Sequence, residues 1–348
     1  MYNNIVVKKN QLADLESWEK NLFDFKYSLF LLPQWLEILE DESHKALYLD
    51  FLLDGNTVAK LSGLECDGGI LKGKQLYFYA APAFSDDTVD YFDECHAALQ
   101  KWALENGFSR IVIGSYDQQN ERVCRAKGFY PTFRYEYIVD FKNEEGGRFS
   151  TGFKKNFKKA EKLGVTFNQS DSSVILDKML DLLGYTRNHR TLKYGSGYNP
   201  FYMKNIDEHA LQKLIDNGLG KLYYTLTEGN VNSVQYNIEK AGKVYGLFMG
   251  SDGFAYKNGL PSFVDYNLIS TYKDQGFVYY NPGGGPADEG GSGIEQYKKS
   301  MGATKYIFAG CTTNFLTYPQ RLLNPLLALG RKLPSSDKGL IGFFKRFI

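Results

Sequence analysis

Residues 281–302, NPGGGPADEGGSGIEQYKKSMG, decide how the rest of the chain reads. The stretch follows a β-type run, Phe277–Tyr280, and passes Gly283, Gly284, Gly285, Gly290, Gly291 and Gly293 before a short amphipathic helix begins. Glycines take positive φ at little cost and leave backbone N–H groups open, and a helix N-terminus carries partial positive charge. Strand end, glycine run and helix start in that order make a seat for a phosphate, a carboxylate or a developing oxyanion. Lys298 lies less than two turns beyond Gly293. Helical side chains lean toward the N-terminus, so its ammonium is expected to reach back to the loop. Ile294, Tyr297 and Met301 are expected to hold the opposite face of this helix in the core.

The ordered part, Gly293-Ile294-x-x-Tyr297-Lys298-x-x-Met301-Gly302, resembles the G-[LI]-x-x-[FY]-K-x-x-[FM]-G signature of FemAB-type transferases, together with the glycine run that precedes it there. A second match lies at Phe153-Lys154-Lys155-Asn156-Phe157-Lys158-Lys159-Ala160-x-x-x-Gly164-Val165, which resembles that family's R-x-N-[IF]-[RK]-K-A-x-x-x-G-V run into its second unit. FemAB proteins are relatives of the GNAT acyltransferases. The resemblance therefore implies an α+β chain of two tandem GNAT-like units, each a mixed, mostly antiparallel sheet flanked by helices. It also implies transfer of an aminoacyl or acyl group to an amine of a cell-envelope precursor, peptidoglycan or polysaccharide. The donor would be aminoacyl-tRNA or acyl-CoA, with no tightly bound cofactor, and the acceptor a small-molecule or lipid-linked sugar or peptide.

An internal duplication points the same way. A helix over 86–105, Asn106-Gly107-Phe108, a strand Arg110–Ile113, a helix Asn120–Ala126, Lys127-Gly128 and a strand Tyr135–Phe141 form one pass. A helix from Phe263, Gln275-Gly276-Phe277, a strand Val278–Tyr280, a helix from Ile294, Met301-Gly302 and a strand Lys305–Ala309 repeat it. Only the second copy carries the glycine loop, so the chemistry is expected there. Earlier, Asp54-Gly55-Asn56 marks a hairpin turn; later, Glu228-Gly229-Asn230 and Ala241-Gly242 mark the turns of a three-stranded meander over 221–249. The expected boundaries are 1–145 for the first unit, 146–318 for the second, and 319–348 for a basic, apolar C-terminal tail.

The 348 residues suffice for two domains. With 41 Lys+Arg against 40 Asp+Glu the formal net charge is +1, so attraction for a polyanion must come from a local patch. One such patch is the helix starting at Thr151, where Lys154, Lys155, Lys158 and Lys159 surround an apolar stripe of Phe153, Phe157 and Ala160. The resemblance suggests phosphate or tRNA as its partner. The tail, with six Lys and Arg among many Leu and Phe, suits contact with an anionic membrane surface or packing on the protein body. Cys66, Cys95, Cys124 and Cys311 are scattered, with no C-x-x-C pair and no His at metal-ligand spacing, and read as buried thiols with no metal. The polar N-terminal stretch and the absence of any run near ~18 apolar residues lead to the expectation of a cytoplasmic protein, in peripheral contact with the inner membrane face at most.

Within the resemblance, Lys298 would be the catalytic cation. Gly284, Gly285, Gly293 and Tyr297 would bind substrate, with Arg187 and Arg190 on a helix that faces the cleft in that family. No general base stands out: Asp265, Asp252 and Glu239 are candidates that read more readily as surface or capping residues, substrate-assisted deprotonation would need none of them, and His189 and His209 have no evident partner. The chain departs from the family pattern in three ways. The [QR]-x-x-G-x-[GA] pyrophosphate loop is missing from Ser251–Leu260, Leu39 stands where a lysine is common, and there is no room for a helical-hairpin arm. Two alternatives follow, an acyl-CoA-dependent enzyme acting on a sugar amine and a non-catalytic GNAT-like binding protein.

Overall fold

The structure is a computed structural model that describes residues 5–194, 203–286 and 292–332. Along the chain the elements are β1 (Val6–Lys9), α1 (Leu15–Leu22), α2 (Pro33–Glu37), β2 (His44–Leu53), β3 (Asn56–Asp67), α3 (Gly69–Lys72), β4 (Lys74–Phe78), β5 (Ala83–Phe84), α4 (Phe92–Glu105), β6 (Arg110–Ile113) and β7 (Phe129–Asp140). They continue with α5 (Thr151–Glu161), β8 (Thr166–Ser170), α6 (Ser173–Tyr194), α7 (Glu208–Asp216), β9 (Gly220–Thr227), β10 (Asn230–Lys240) and β11 (Lys243–Ser251). The last group is α8 (Gly253–Asn258), α9 (Leu260–Asp274), β12 (Tyr279–Asn281), β13 (Gly284–Pro286), α10 (Ser292–Ser300), β14 (Thr304–Thr313) and α11 (Asn324–Gly330).

Local chemistry accounts for most boundaries. The three hairpins, β2–β3, β9–β10 and β10–β11, each turn on two residues ending in glycine, and both residues have positive φ: Asp54-Gly55, Glu228-Gly229 and Ala241-Gly242. That double positive φ is what a two-residue turn needs to match the twist of the strands. Ser150, Asp207 and Asp252 cap α5, α7 and α8 by accepting the N–H of the residue three further on.

Two compact units result, Met1–Arg134 with Ile307–Ile348, and Tyr135–Tyr306. The sheet of the first runs β1-β2-β3-β4-β6-β14, antiparallel except for the parallel pair β4–β6. The sheet of the second runs β8-β9-β10-β11-β12-β7, antiparallel except for the parallel pair β11–β12. Order and direction are the same in both. Each is an α+β unit of the kind expected, in which a helix, α4 or α9, carries the chain to the parallel strand. The division differs from the boundaries expected at 145 and 318. β7 leaves the first unit at Arg134 and β14 returns to it at Ile307, so each sheet ends on a strand that begins in the other unit.

The helix expected over Asn120–Ala126 is absent. The Arg122 N–H donates to Asn120 Oδ1 at 3.1 Å and the Arg125 N–H to Asp93 Oδ1 at 2.7 Å, so side chains take donors that a helix would direct to its own carbonyls. Of the tail, residues 320–332 lie on the first unit. Leu327 is buried, Asn324 exchanges two hydrogen bonds with the Phe315 backbone, and Arg331 stacks 3.6 Å over the Tyr130 ring. The rest of the tail lies outside the described residues. Among those described, no helix is long and apolar enough to cross a membrane. All four cysteines are buried.

Candidate functional site

In the second unit the parallel strands β11 and β12 pair over three residues only, Lys243–Tyr245 against Tyr279–Asn281. Pro282 then has no N–H to continue the ladder, and Gly283, at φ +73°, turns the chain away. The strands part there, and a cavity of about 490 Å³ opens between Gly246–Met249 on one side and Pro282–Gly284 on the other. This is the size of an ordinary small-molecule site. In the first unit the matching strands stay together, as Gly114 and Tyr116 continue to bond with Phe78 and Tyr79. The Phe30, Trp35 and Tyr79 rings, all fully buried, fill the space beside them.

Asp265 lies at the wall of the cavity on α9, only 4 % exposed. Its carboxylate accepts hydrogen bonds from Tyr297 Oη at 2.6 Å and Tyr280 Oη at 3.2 Å. Burial pushes its pKa up to about 6, against the opposing pull of the two hydroxyls and of the Lys298 charge. Burial beside that carboxylate drives both tyrosines well above their ordinary range, so they remain neutral donors. Asp265 falls on the same helical stripe as Leu260, Phe263, Val264, Leu268 and Tyr272, all buried. A lone carboxylate on an apolar stripe was the signal available in the sequence, and the surface or capping role expected for it is corrected by its burial. Asp252 does cap α8, and Glu239 lies away from the cavity, bound by the Tyr223 and Tyr272 hydroxyls.

Lys298 reaches back as its spacing implies. Its Nζ donates to the carbonyls of Pro282 and Gly283, both at 2.8 Å, and lies 5.3 Å over the Tyr137 ring. The root of the loop is held from below by buried Glu136, which accepts from Asn281 Nδ2 at 2.9 Å, while Asn281 Oδ1 accepts from the Gly283 N–H. Gly284 is required by close approach, since a Cβ there would lie 1.6 Å from the Tyr135 carbonyl oxygen. Gly285 faces the Tyr135 side chain and lies outside the cavity lining, whereas Gly284, Gly293, Tyr297 and Lys298 line it. Met301 is buried as expected. Ile294 is not; it is 47 % exposed and borders the cavity, because α10 presents that face to the opening rather than to the core.

Gly290 and Gly291 lie outside the described residues. Arg187 is exposed on α6 and does not line the cavity, and Arg190's side chain lies outside the described set. Lys154, Lys155, Lys158 and Lys159 are all exposed on α5. Between them Asn156, which the sequence reading passed over in favour of its charged neighbours, lines the cavity. Its placement depends on Gly259, at φ +76°, where a Cβ would come within 2.7 Å of the Asn156 carbonyl.

No family model and no curated protein matches the chain in sequence. Solved structures do match in shape. A tandem GNAT protein from the clavulanic acid biosynthesis pathway superposes with a TM-score of 0.50 at 7 % identity, covering 89 % of this chain and 98 % of that one. L-PGS from Bacillus licheniformis superposes with a TM-score of 0.51 at 15 % identity, covering 92 % and 97 %. The fold class is therefore that of tandem GNAT-like proteins. FemX superposes with a TM-score of 0.67 at 13 % identity over 91 % of this chain and 99 % of its own. The chain has the FemAB-type, GNAT-related fold.

Proposed function

We propose that the chain is an aminoacyl or acyl transferase that moves its group to an amine of a cell-envelope precursor, and that the cavity of the second unit is where donor and acceptor meet. The observation that carries this reading is Asp265, a buried carboxylate with a pKa of about 6 at the wall of that cavity. An acceptor ammonium must lose a proton before its nitrogen can attack a carbonyl, and a base poised near neutral pH suits that task. Asp265 takes the proton directly or through the two hydroxyls that donate to it. A C–N bond forms, the donor's ester or thioester bond breaks, and the departing oxygen or sulfur leaves with a proton. The glycine loop clamped by Lys298 bounds the place where the carbonyl oxygen becomes negative, and the cation stabilises that charge at short range.

Aminoacyl-tRNA is the favoured donor. The N-terminus of α8, where the resemblance would seat the pyrophosphate of acyl-CoA, already holds the Asp252 carboxylate, which accepts the Ala255 N–H at 2.8 Å. A second negative group is disfavoured there. The exposed lysines of α5 instead flank Asn156 at the rim of the cavity and suit a phosphate backbone.

The test is a thermal-shift series with aminoacyl-tRNA, acyl-CoA and a UDP-sugar, followed by transfer assays with labelled donor and lipid-linked envelope precursors. A ligand that binds only the native state raises its melting temperature. A shift and transfer with aminoacyl-tRNA is the expected result. A shift with acyl-CoA alone overturns the choice of donor, and the absence of both binding and transfer overturns the reading as an enzyme.

A further inference from the structure

A second constellation lies in the first unit. His96 on α4, Cys124 in the irregular segment before β7 and Cys311 on β14 bring one imidazole nitrogen and two sulfurs within 4.8 Å of one another, all three residues buried. His96 Nδ1 lies 2.7 Å from the Phe92 carbonyl, which can only accept, so Nδ1 carries the hydrogen. Nε2 therefore presents a bare lone pair. It is fully buried and has no hydrogen-bond partner among the described residues. Buried polar atoms are almost always satisfied, and one left bare beside two thiols calls for a reason.

We propose that His96 Nε2, Cys124 Sγ and Cys311 Sγ form a binding site for a soft or borderline d10 metal ion of the zinc class. Imidazole and thiolate are the donors such ions select, and the Phe92 carbonyl on Nδ1 is the kind of outer partner that fixes the tautomer and orientation of a ligating histidine. At metal–ligand lengths of about 2.0–2.3 Å, ligand atoms stand about 3.3–4.0 Å apart, within the span seen here. The Phe92 and Phe129 rings, with centroids 4.4 and 5.4 Å from the imidazole, hold its plane.

Binding of a divalent ion displaces one proton from each thiol, so the centre of M²⁺, two thiolates and neutral imidazole carries no net charge. An opening of about 260 Å³, lined by Asp90, Phe92, Asp93 and residues 121–123 and 125, lies beside the Cys124 segment. Because the ligands come from a helix, a loop and a strand far apart in sequence, the ion would tie the loop that failed to become a helix to the body of the first unit.

The experiment uses the full-length wild-type protein, reduced and freed of metal with a chelator, titrated with Co(II) and then Zn(II). The expected result is one Co(II) per chain with thiolate-to-cobalt charge-transfer absorption, its displacement by one Zn(II), and a raised melting temperature. His96→Gln and Cys311→Ser should each weaken binding by more than the roughly 10- to 100-fold that loss of an outer partner costs, while Cys66→Ser leaves it unchanged. No charge-transfer band in the wild type overturns the proposal whether or not any variant folds. A band that persists in the Cys124→Ser, Cys311→Ser double variant overturns it too, as does a Cys124–Cys311 disulfide that forms in air with no metal uptake.

Discussion

Replacing Asp265 with Asn should make the second unit more stable and the protein less active. The Asp265 carboxyl moves from an ordinary pKa of 3.8 to about 6 on folding. That is roughly a hundredfold in proton affinity, or about 3 kcal/mol. A pKa raised by folding contributes stability that is fully present below 3.8 and fades as the pH rises toward 6. Above that value the folded state holds a buried negative charge and the contribution is gone. The amide of Asp265→Asn carries no charge, so at about pH 7.5 the variant should be the more stable by up to about 3 kcal/mol, an advantage that closes as the pH falls through the folded pKa toward the unfolded one. Turnover should fall by about 10² to 10⁴, the usual contribution of a general base, and the wild-type rate should rise with pH along a limb centred near 6. Urea unfolding followed by far-ultraviolet circular dichroism is the measurement to use. If Asp265→Asn is destabilised near neutral pH, the carboxylate is a net structural anchor. If turnover and its pH limb survive, Asp265 is not the base.

Lys298→Ala should cut turnover on the order of a hundredfold and cost about 1.5–3 kcal/mol of stability through the two loop carbonyls it releases. Lys299→Ala, which removes only an exposed pair with Glu295, should stay within about 0.5 kcal/mol and keep full activity; equal loss in both would remove Lys298 from the site. Gly284→Ala should destabilise the second unit by roughly 1–3 kcal/mol through the Tyr135 carbonyl and abolish transfer. Gly293→Ala meets nothing within 4 Å and should gain stability by about 0.4–1 kcal/mol, as unfolding curves of the two variants will show. We further propose that the end of the tail touches anionic membrane. Deleting residues 333–348, which keeps Leu327 and Arg331 on the first unit, should lower co-sedimentation with anionic vesicles; equal sedimentation refutes it.

The features legible in the sequence are those set by neighbours along the chain. Asp54-Gly55, Glu228-Gly229 and Ala241-Gly242 announce their hairpins because positive φ at two adjacent residues is a local requirement. The repeated helix–Gly-Phe–strand order announces the duplication, and the spacing from Gly293 to Lys298 announces that the ammonium returns to the loop. Residues 120–126 misled because one competitor for their N–H groups, Asp93, lies on another element, beside the local Asn120. The same holds for whatever depends on convergence. Strand β7 carries no mark that it will finish the sheet of the second unit, and Phe30, Trp35 and Tyr79 carry none that they will fill in one unit the space left open in the other. A pKa is set by desolvation and by partners, and those of Asp265 come from α10 and β12, so its chemistry exists only once these elements close around it.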